Sequence, residues 1–331
     1  MSAVIDLAAI APAFSDPTRE SQAVFRKVMD AVARPGTIQV VGFAPDAPEG
    51  TEFPAGDGLL VAIAAVHFGL LPAAVLAVAG GGPMSAAAAA ALLLGTGLWI
   101  GQVAVPAAHE LIHRPDRRLF WLGVAVYAAI LFGHHASAHR LVHHRHAATA
   151  DDPNTARAGE GFYRFARRAW TGSFREGWRA EGARAGRRLH PYAVYLGGAA
   201  LALVLALALA GPAGVAVWLL LSLHAQAQLL LADYVQHYGL TRRAGPDGRP
   251  EPVGLRHAWN APHRFSGAMT LHAPRHSDHH AHPARPFAGL RLPAAEAAPR
   301  LPVALPVACT IALVPPLWRR MMDPRLGRWR S

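Results

Sequence analysis

Cysteine, lysine and charge of either sign are scarce in this chain of 331 residues. Its one cysteine, Cys309, excludes an intramolecular disulfide and gives no sign of an oxidising compartment. Charged residues make up 16% of the chain, whereas a soluble domain carries about 25%, and 52% of the residues are hydrophobic. That balance leans toward a membrane protein. Lys27 is the only lysine, so the net charge of +11 rests almost wholly on arginine. A basic chain is compatible with nucleic-acid binding, but here the arginines sit in a few loops between apolar blocks, which is how membrane topology is written. The first thirty residues carry charges throughout and lack a long apolar core, so no ordinary signal peptide is expected.

Residues 1–57 read as a soluble amino-terminal segment and linker. Ser15-Asp16-Pro17-Thr18-Arg19-Glu20 opens like a helix start, and Pro35-Gly36 closes it with turn chemistry. From Gly58 through His109 there is no Asp, Glu, Lys or Arg, room for two spans of about 20 residues. They are placed at 59–79 and 84–108, broken at Gly80-Gly81-Gly82-Pro83. A second uncharged stretch, Leu189 to Ala232, breaks at Gly211-Pro212 and is read as spans 192–210 and 213–233. The loop between the pairs holds Arg157, Arg164, Arg167, Arg168, Arg175, Arg179, Arg184, Arg187 and Arg188. Positive charge favours the cytoplasmic side, so this loop, the histidine-rich face and both termini are expected there. Leu119 to Ala138 is uncharged and long enough to cross, but crossing would put the histidines before and after it on opposite faces. It is therefore read as re-entrant or interfacial. Leu301 to Val314, interrupted by Pro302 and Pro306, is expected to pack on the cytoplasmic domain. The fold class is all-α integral membrane, with about four spans, a re-entrant helix and a histidine-rich cap.

The chain has 19 histidines, and they are grouped. His109 and His113 flank Glu110 in an HExxH pattern at the end of the second span, with Pro106 upstream to kink the helix. His139, His143 and His144 form a second group, and His276, His279 and His280 a third; His237 stands just beyond the last span. Spacings of three to five residues place imidazoles on one helical face. Nine ligands exceed what one metal needs, whereas two ions with four or five nitrogens each would use them all. Imidazole suits Zn, Cu, Fe and Ni alike, and a lone HExxH signals zinc hydrolysis with Glu as general base. The further histidines move the reading toward iron.

In their order, His109-Glu110-Leu111-Ile112-His113, His139-x-x-x-His143-His144, Tyr234-Val235-Gln236-His237-Tyr238-Gly239-Leu240 and Arg275-His276-Ser277-Asp278-His279-His280-Ala281-His282-Pro283 resemble the motifs of the membrane alkane monooxygenases, within the fatty acid desaturase-like superfamily. Asp152-Pro153, Gly159-Glu160, Trp259-Asn260 and Pro315-Pro316-Leu317-Trp318 support the match, which covers roughly residues 59–331, so 58–331 is taken as the hydroxylase domain. The resemblance implies two non-haem iron ions on His109, His113, His139, His143, His144, His237, His276, His279 and His280. It also implies O2-dependent hydroxylation of a terminal methyl to a primary alcohol. Electrons would come from rubredoxin and rubredoxin reductase, and the enzyme would sit in the cell inner membrane. Glu110 and Asp278 are the carboxylates assigned to the catalytic site. Asp278 is expected to orient an imidazole, and Glu110 either to do the same or to coordinate directly.

Several positions depart from the family pattern. Ala138 stands where Glu is usual, Val142 for Gly, Gln236 for Glu, and Ala273-Pro274 for Leu-Gln. Such neighbours tune ligand orientation and metal affinity. The family's usual first pair of spans has no counterpart here. Instead Phe14-Ser15-Asp16-Pro17, Gln22-Ala23-Val24-Phe25-Arg26 and Ala33-Arg34-Pro35-Gly36-Thr37 resemble the amino end of a carbon–phosphorus lyase accessory subunit, read as a fusion remnant. The competing functions are a fatty-acyl desaturase or hydroxylase, an intramembrane zinc protease and a non-catalytic membrane remnant. Among the remaining histidines, His257 and His272 are expected to support ligands, and His67 and His224 to lie within spans.

Overall fold

The computed structural model describes residues 51–186 and 189–329; the predicted helix around Ser15–Val32 lies outside them, as does the predicted linker up to residue 50. Among the described residues the protein is all-α, with β-type pairing limited to isolated bridges such as Ala244 with Pro250. Helix α1 spans Pro54–Ala79 and begins with proline, whose missing N–H costs nothing at that position. Helix α2 spans Ala86–Ile112 and is capped by Ser85, whose side chain accepts from the Ala88 N–H at 3.2 Å. Both are long and apolar enough to cross a membrane, as is α6, Tyr192–His237. These helices extend past the predicted spans. His109 and His237, placed at or just beyond span ends by the sequence, are helical residues.

Helix α6 does not run straight. At Ala210 (φ −150°) and Gly211 (φ 61°, ψ −154°) the backbone leaves the helix, and only glycine adopts the second conformation at low cost. Gly198 packs against Ala128, while Trp218 donates its indole N–H to the Ala129 carbonyl at 2.7 Å. In a straight helix those two residues would lie about 30 Å apart. The two arms therefore fold back alongside each other, as the break at Gly211-Pro212 predicts, and the predicted spans 192–210 and 213–233 are its arms.

Helix α3, Arg117–Ala129, is the re-entrant element. Gly123 lies against Leu111 and Ala108, and the Tyr127 hydroxyl reaches the Val105 carbonyl at 3.4 Å, so α3 descends antiparallel to the end of α2. The chain turns at Leu131 (φ 60°) and climbs back through α4, residues 135–146, to set His139 beside His109. A Cβ on Gly123 would sit 2.8 Å from the Leu111 Cβ and 2.9 Å from the Ala108 carbonyl oxygen. Gly123→Leu is therefore expected to cost about 2 kcal/mol or more through overpacking. It should also spread α3 from the turn that presents His109 and His113, seen as a lower unfolding temperature together with weaker metal retention.

Helix α5, Phe162–Ala185, carries Arg164, Arg167, Arg168, Arg175, Arg179 and Arg184 of the arginine-rich loop and packs on α4, with Gly177 against Ala138. Beyond α6 come α7 (His276–Ala281), α8 (Leu305–Ala312) and α9 (Pro315–Leu326). Helix α8 is the predicted short apolar segment, and its Leu305, Ala308 and Ala312 pack in one buried cluster with Leu230, Leu231 and Tyr234 of α6. The Tyr238 hydroxyl donates to Asp323 at 2.6 Å, closing α9 over the end of α6.

Candidate metal centre

Two π-helical turns shape the ligand-bearing helices. In α2 the turn Ile100–Ala104 lets the Val105 N–H bond five residues back to Ile100, just before Pro106, which has no N–H of its own. In α4 the turn Ala138–His143 bonds the His144 N–H to the His139 carbonyl, again five residues back. A turn widened by one residue puts i and i+5 on the same side. His139 and His144 accordingly face each other, with Nε2 atoms 2.9 Å apart, and His143 points elsewhere. In the ordinary helix α7 the i, i+4 pair His276 and His280 face each other at 3.1 Å, and His279 points away.

These directions sort all nine predicted histidines into two groups. His109, His113, His139, His144 and His279 offer nitrogens that all lie within 4.8 Å of one another, and so do His143, His237, His276 and His280. The groups adjoin, with the His144 and His280 ring centroids 4.7 Å apart. Within the first group Nε2 atoms approach at 2.8 Å (His109 to His139), 2.9 Å (His139 to His144) and 3.2 Å (His144 to His279). Within the second they approach at 2.9 Å (His237 to His276) and 3.1 Å (His276 to His280). A ring nitrogen donates one proton or accepts with one lone pair, so chains that share His139, His144 and His276 cannot all be satisfied by protons. The buried Nε2 atoms of His113 and His143 have no hydrogen-bond partner at all. Two nitrogens bound at right angles to one ion at about 2.1 Å lie about 3 Å apart, which is the spacing found. The donor set therefore fits two metal ions.

The rings are kept neutral, as ligands must be. Burial, reinforced by neighbouring imidazoles, holds His113, His139, His144, His276, His279 and His280 well below the usual histidine range. His143 differs. Burial opposes its charge, but the Asp152 carboxylate 2.8 Å from Nδ1 outweighs that and raises it. For the metal-free chain the sign follows directly. Below the ordinary value of 6.5 the unfolded chain takes up protons that six folded imidazoles refuse. Stability should therefore fall as pH drops through 6.5 and below, with His143, of these seven imidazoles, working the other way. Unfolding temperatures of metal-free protein at pH 7.5 and 5.5 check this; an unchanged value would contradict the buried neutral cluster.

Around the rings lies a layer of hydrogen bonds that orients them. Asp152 accepts from His143 and also from the Thr155 hydroxyl at 2.7 Å and the Asn154 N–H at 3.0 Å. Asn154 in turn donates to Asp233 at 2.6 Å. His237 uses Nδ1 to donate to the His257 carbonyl at 3.2 Å, and His257 is itself fixed by Gly254 and Glu251. Asn260 ties down the start of α7 through Ser277, accepting its N–H at 3.1 Å. The sequence marked Asp152-Pro153 and Trp259-Asn260 only as supporting matches. What would have flagged Asp152 is its place nine residues beyond His143 in a short turn rich in side-chain oxygen. Asp233 had no such local signal.

The two carboxylates assigned to catalysis sit differently. Glu110 accepts the Phe287 N–H at 2.9 Å and pairs with Arg114 at 3.6 Å. Asp278 is gripped by Arg285 at 2.6 and 2.7 Å and accepts the Arg291 N–H at 2.7 Å, with His282 at 3.1 Å. Neither belongs to the two converging groups. His272 donates to the Phe287 carbonyl at 2.9 Å, so Glu110 and His272 hold the two peptide groups on either side of Phe287, and both act on the ligand helices through the loop 282–291. Two departures from the family pattern meet each other, since the Gln236 amide donates to the Ala273 carbonyl at 2.9 Å. A glutamate at 236, ionised, has no proton to give there. Of the other histidines, His67 is buried in α1 with neither ring nitrogen partnered and stacks on Trp99, and His224 lies against Gly97. His135 stacks on His139 with centroids 5.0 Å apart.

A largely apolar cavity borders the rings. It is lined by residues of α2, α6 and α8, with His109, His139 and His276 among them, together with Gln102 and Gln228. Those two amides bond to each other at 2.8 Å.

Buried imidazoles in two metal-sized groups, at one end of a bundle of membrane-spanning helices, define a membrane metalloprotein. A model of the fatty acid desaturase family matches residues 83–307, and the chain belongs to that family. It is 34% identical over 252 residues to an alkane 1-monooxygenase of Pseudomonas putida, covering 72% of this chain and 61% of that protein. It is likewise 34% identical over 250 residues to one from Ectopseudomonas oleovorans, covering 72% of this chain and 60% of the relative. To alkane 1-monooxygenase 2 of Alcanivorax borkumensis it is 32% identical over 279 residues, covering 80% of this chain and 72% of the relative. The chain thus spans about three fifths of the length of the first two. A second model, bacterial phosphonate metabolism protein (PhnH), matches residues 12–97. That match contains the amino-terminal resemblance and runs beyond the expected boundary at 57 into α2.

Proposed function

We propose that this protein hydroxylates the terminal carbon of alkanes or alkyl chains, using O2 at a two-iron centre held by the nine histidines, with electrons from rubredoxin and its reductase. The observation that carries the reading is the division of nine buried or half-buried imidazoles into adjoining groups of five and four beside an apolar cavity. The names of its relatives point to the same chemistry.

Bound iron would supply O2 activation and hydrogen abstraction. His109, His113, His139, His144 and His279 would hold one ion, and His143, His237, His276 and His280 the other. The remaining work is the protein's own. Asp152 and the His257 carbonyl fix ring orientation through Nδ1, so that Nε2 faces the metal. The cavity between α2 and α6 would align an apolar chain with its end at His109, His139 and His276 and keep bulk water from that end. By the arginine-rich loop, the histidine-bearing end would face the cytoplasm, in a multi-pass inner-membrane protein, where an electron donor can dock. The amino-terminal segment, to about residue 57, would be a fusion remnant outside this machinery.

Reconstituted with rubredoxin and its reductase, the purified chain should convert a medium-chain alkane into the primary alcohol. An alkene from a fatty-acyl substrate would select the desaturase reading instead. Peptide cleavage with stoichiometric zinc would select the protease, a role for which Glu110 would have to leave Phe287 and Arg114.

A further inference from the structure

Two cavities on α5 are left over by the proposed chemistry, and they adjoin. The first is a slot of about 300 Å³ between α5 and the first arm of α6, lined by Leu131, Phe174, Leu196 and Ala199 together with Thr171 and Arg175. The second is a basin whose lining consists of Arg157, Tyr163, Arg164, Arg167, Arg168 and Thr171. Thr171 belongs to both, so the apolar slot opens beside the basin. No carboxylate lines the basin. Among the described residues the side chains of Arg164 and Arg167 make no ion pair, whereas Arg168 is already held by Glu160 at 2.7 Å.

The setting is that of a membrane surface. The arm of α6 beside the slot turns Leu196, Leu201 and Val204 outward, at 52%, 69% and 61% exposure, in a helix long and apolar enough to span. Helix α5 exposes Trp170 and Trp178 among its arginines, the residues that settle at the headgroup level. An amphipathic helix with an arginine-rich polar side and aromatic anchors lies in the interfacial plane.

We propose that the paired cavities form a binding site for an acidic phospholipid. Its phosphate would lie among Arg157, Arg164 and Arg167, and one acyl chain in the slot against Phe174 and Leu196. Charge complementarity alone would also suit an acidic soluble protein, but such a partner gives no use to an apolar slot continuous with a membrane-facing helix. Guanidinium groups recognise phosphate oxygens with paired hydrogen bonds, and each cationic residue near an acidic membrane adds to the attraction.

The test is lipid retention by the full chain, read by native mass spectrometry from detergent containing equimolar dioleoyl phosphatidylglycerol and dioleoyl phosphatidylcholine. The wild type should retain the acidic lipid with roughly tenfold preference. R164Q/R167Q should bring that preference close to one, and R164K/R167K should restore most of it. A199F should lower retention of both lipids, because it fills the slot, while leaving the unfolding temperature near that of the wild type. Excess inorganic phosphate should not displace the lipid. Equal retention of the two lipids by the wild type would overturn the proposal. So would full displacement by inorganic phosphate, or an R164Q/R167Q variant that keeps its lipid preference. None of these outcomes depends on the hydroxylase reading, since the readout is lipid mass on the protein.

Discussion

Replacing His143 with alanine is expected to remove the metal of the four-histidine group and abolish the proposed hydroxylation. His143 is buried, its Nε2 has no protein partner, and it is one of only four donors in its group. Three imidazoles still bind a divalent ion, but with an open position and without the anionic support of Asp152, so loading should fall from about two ions per chain to about one. Metal analysis after brief exposure to a chelator reads this directly. The five-histidine group should keep its ion, because His139 and His144 stay on the same π-helical turn. Loss of both ions with loss of helical signal would indicate unfolding instead. Retention of both ions with full turnover would remove His143 from the site.

The second large effect is expected at a residue that touches no metal. Asp152 is fully buried and accepts from His143, Thr155 and Asn154. Asp152→Ala would leave the His143 Nδ1–H without an acceptor and free the ring to rotate. Removing such a partner typically weakens metal binding about 10–100-fold. Asp152→Asn keeps an oxygen in reach and loses only the charge, so it should fall between the two. Chelator titration should then show two steps, with the four-histidine ion leaving early and the five-histidine ion leaving as in the wild type. A single unshifted step would show that Asp152 does not support the ring.

Much of the fold was legible because membrane spans are written in composition. The uncharged stretches 58–109 and 189–232 gave the spans, and Gly211-Pro212 gave the reversal within α6. Leu119 to Ala138 was read as returning to its own side because His113 and His139 had to share one, and α3 and α4 trace that path. The element ends were less legible. Helices α2 and α6 run on to Ile112 and His237, past the last uncharged residue, because ligand contacts and burial continue the helix where hydropathy stops.

The histidine groups were visible as clusters, but their division was not. Regular helical spacing pairs His139 with His143, whereas the π turn pairs His139 with His144 and sends His143 across to His237 and His280. Nothing local in Ala138–His143 announces a π turn. The packing of Ala138 on Gly177 and of α4 on α5 is long-range. For the same reason the HExxH pattern marks Glu110 but not its partner, since Phe287 lies 177 residues away.

The most direct measurement is iron content after anaerobic reconstitution of the full chain with ferrous ion, followed by removal of loosely bound metal. Two histidine-held groups predict about two irons per chain. One ion per chain, or stoichiometric zinc that iron does not displace, would contradict a two-iron centre.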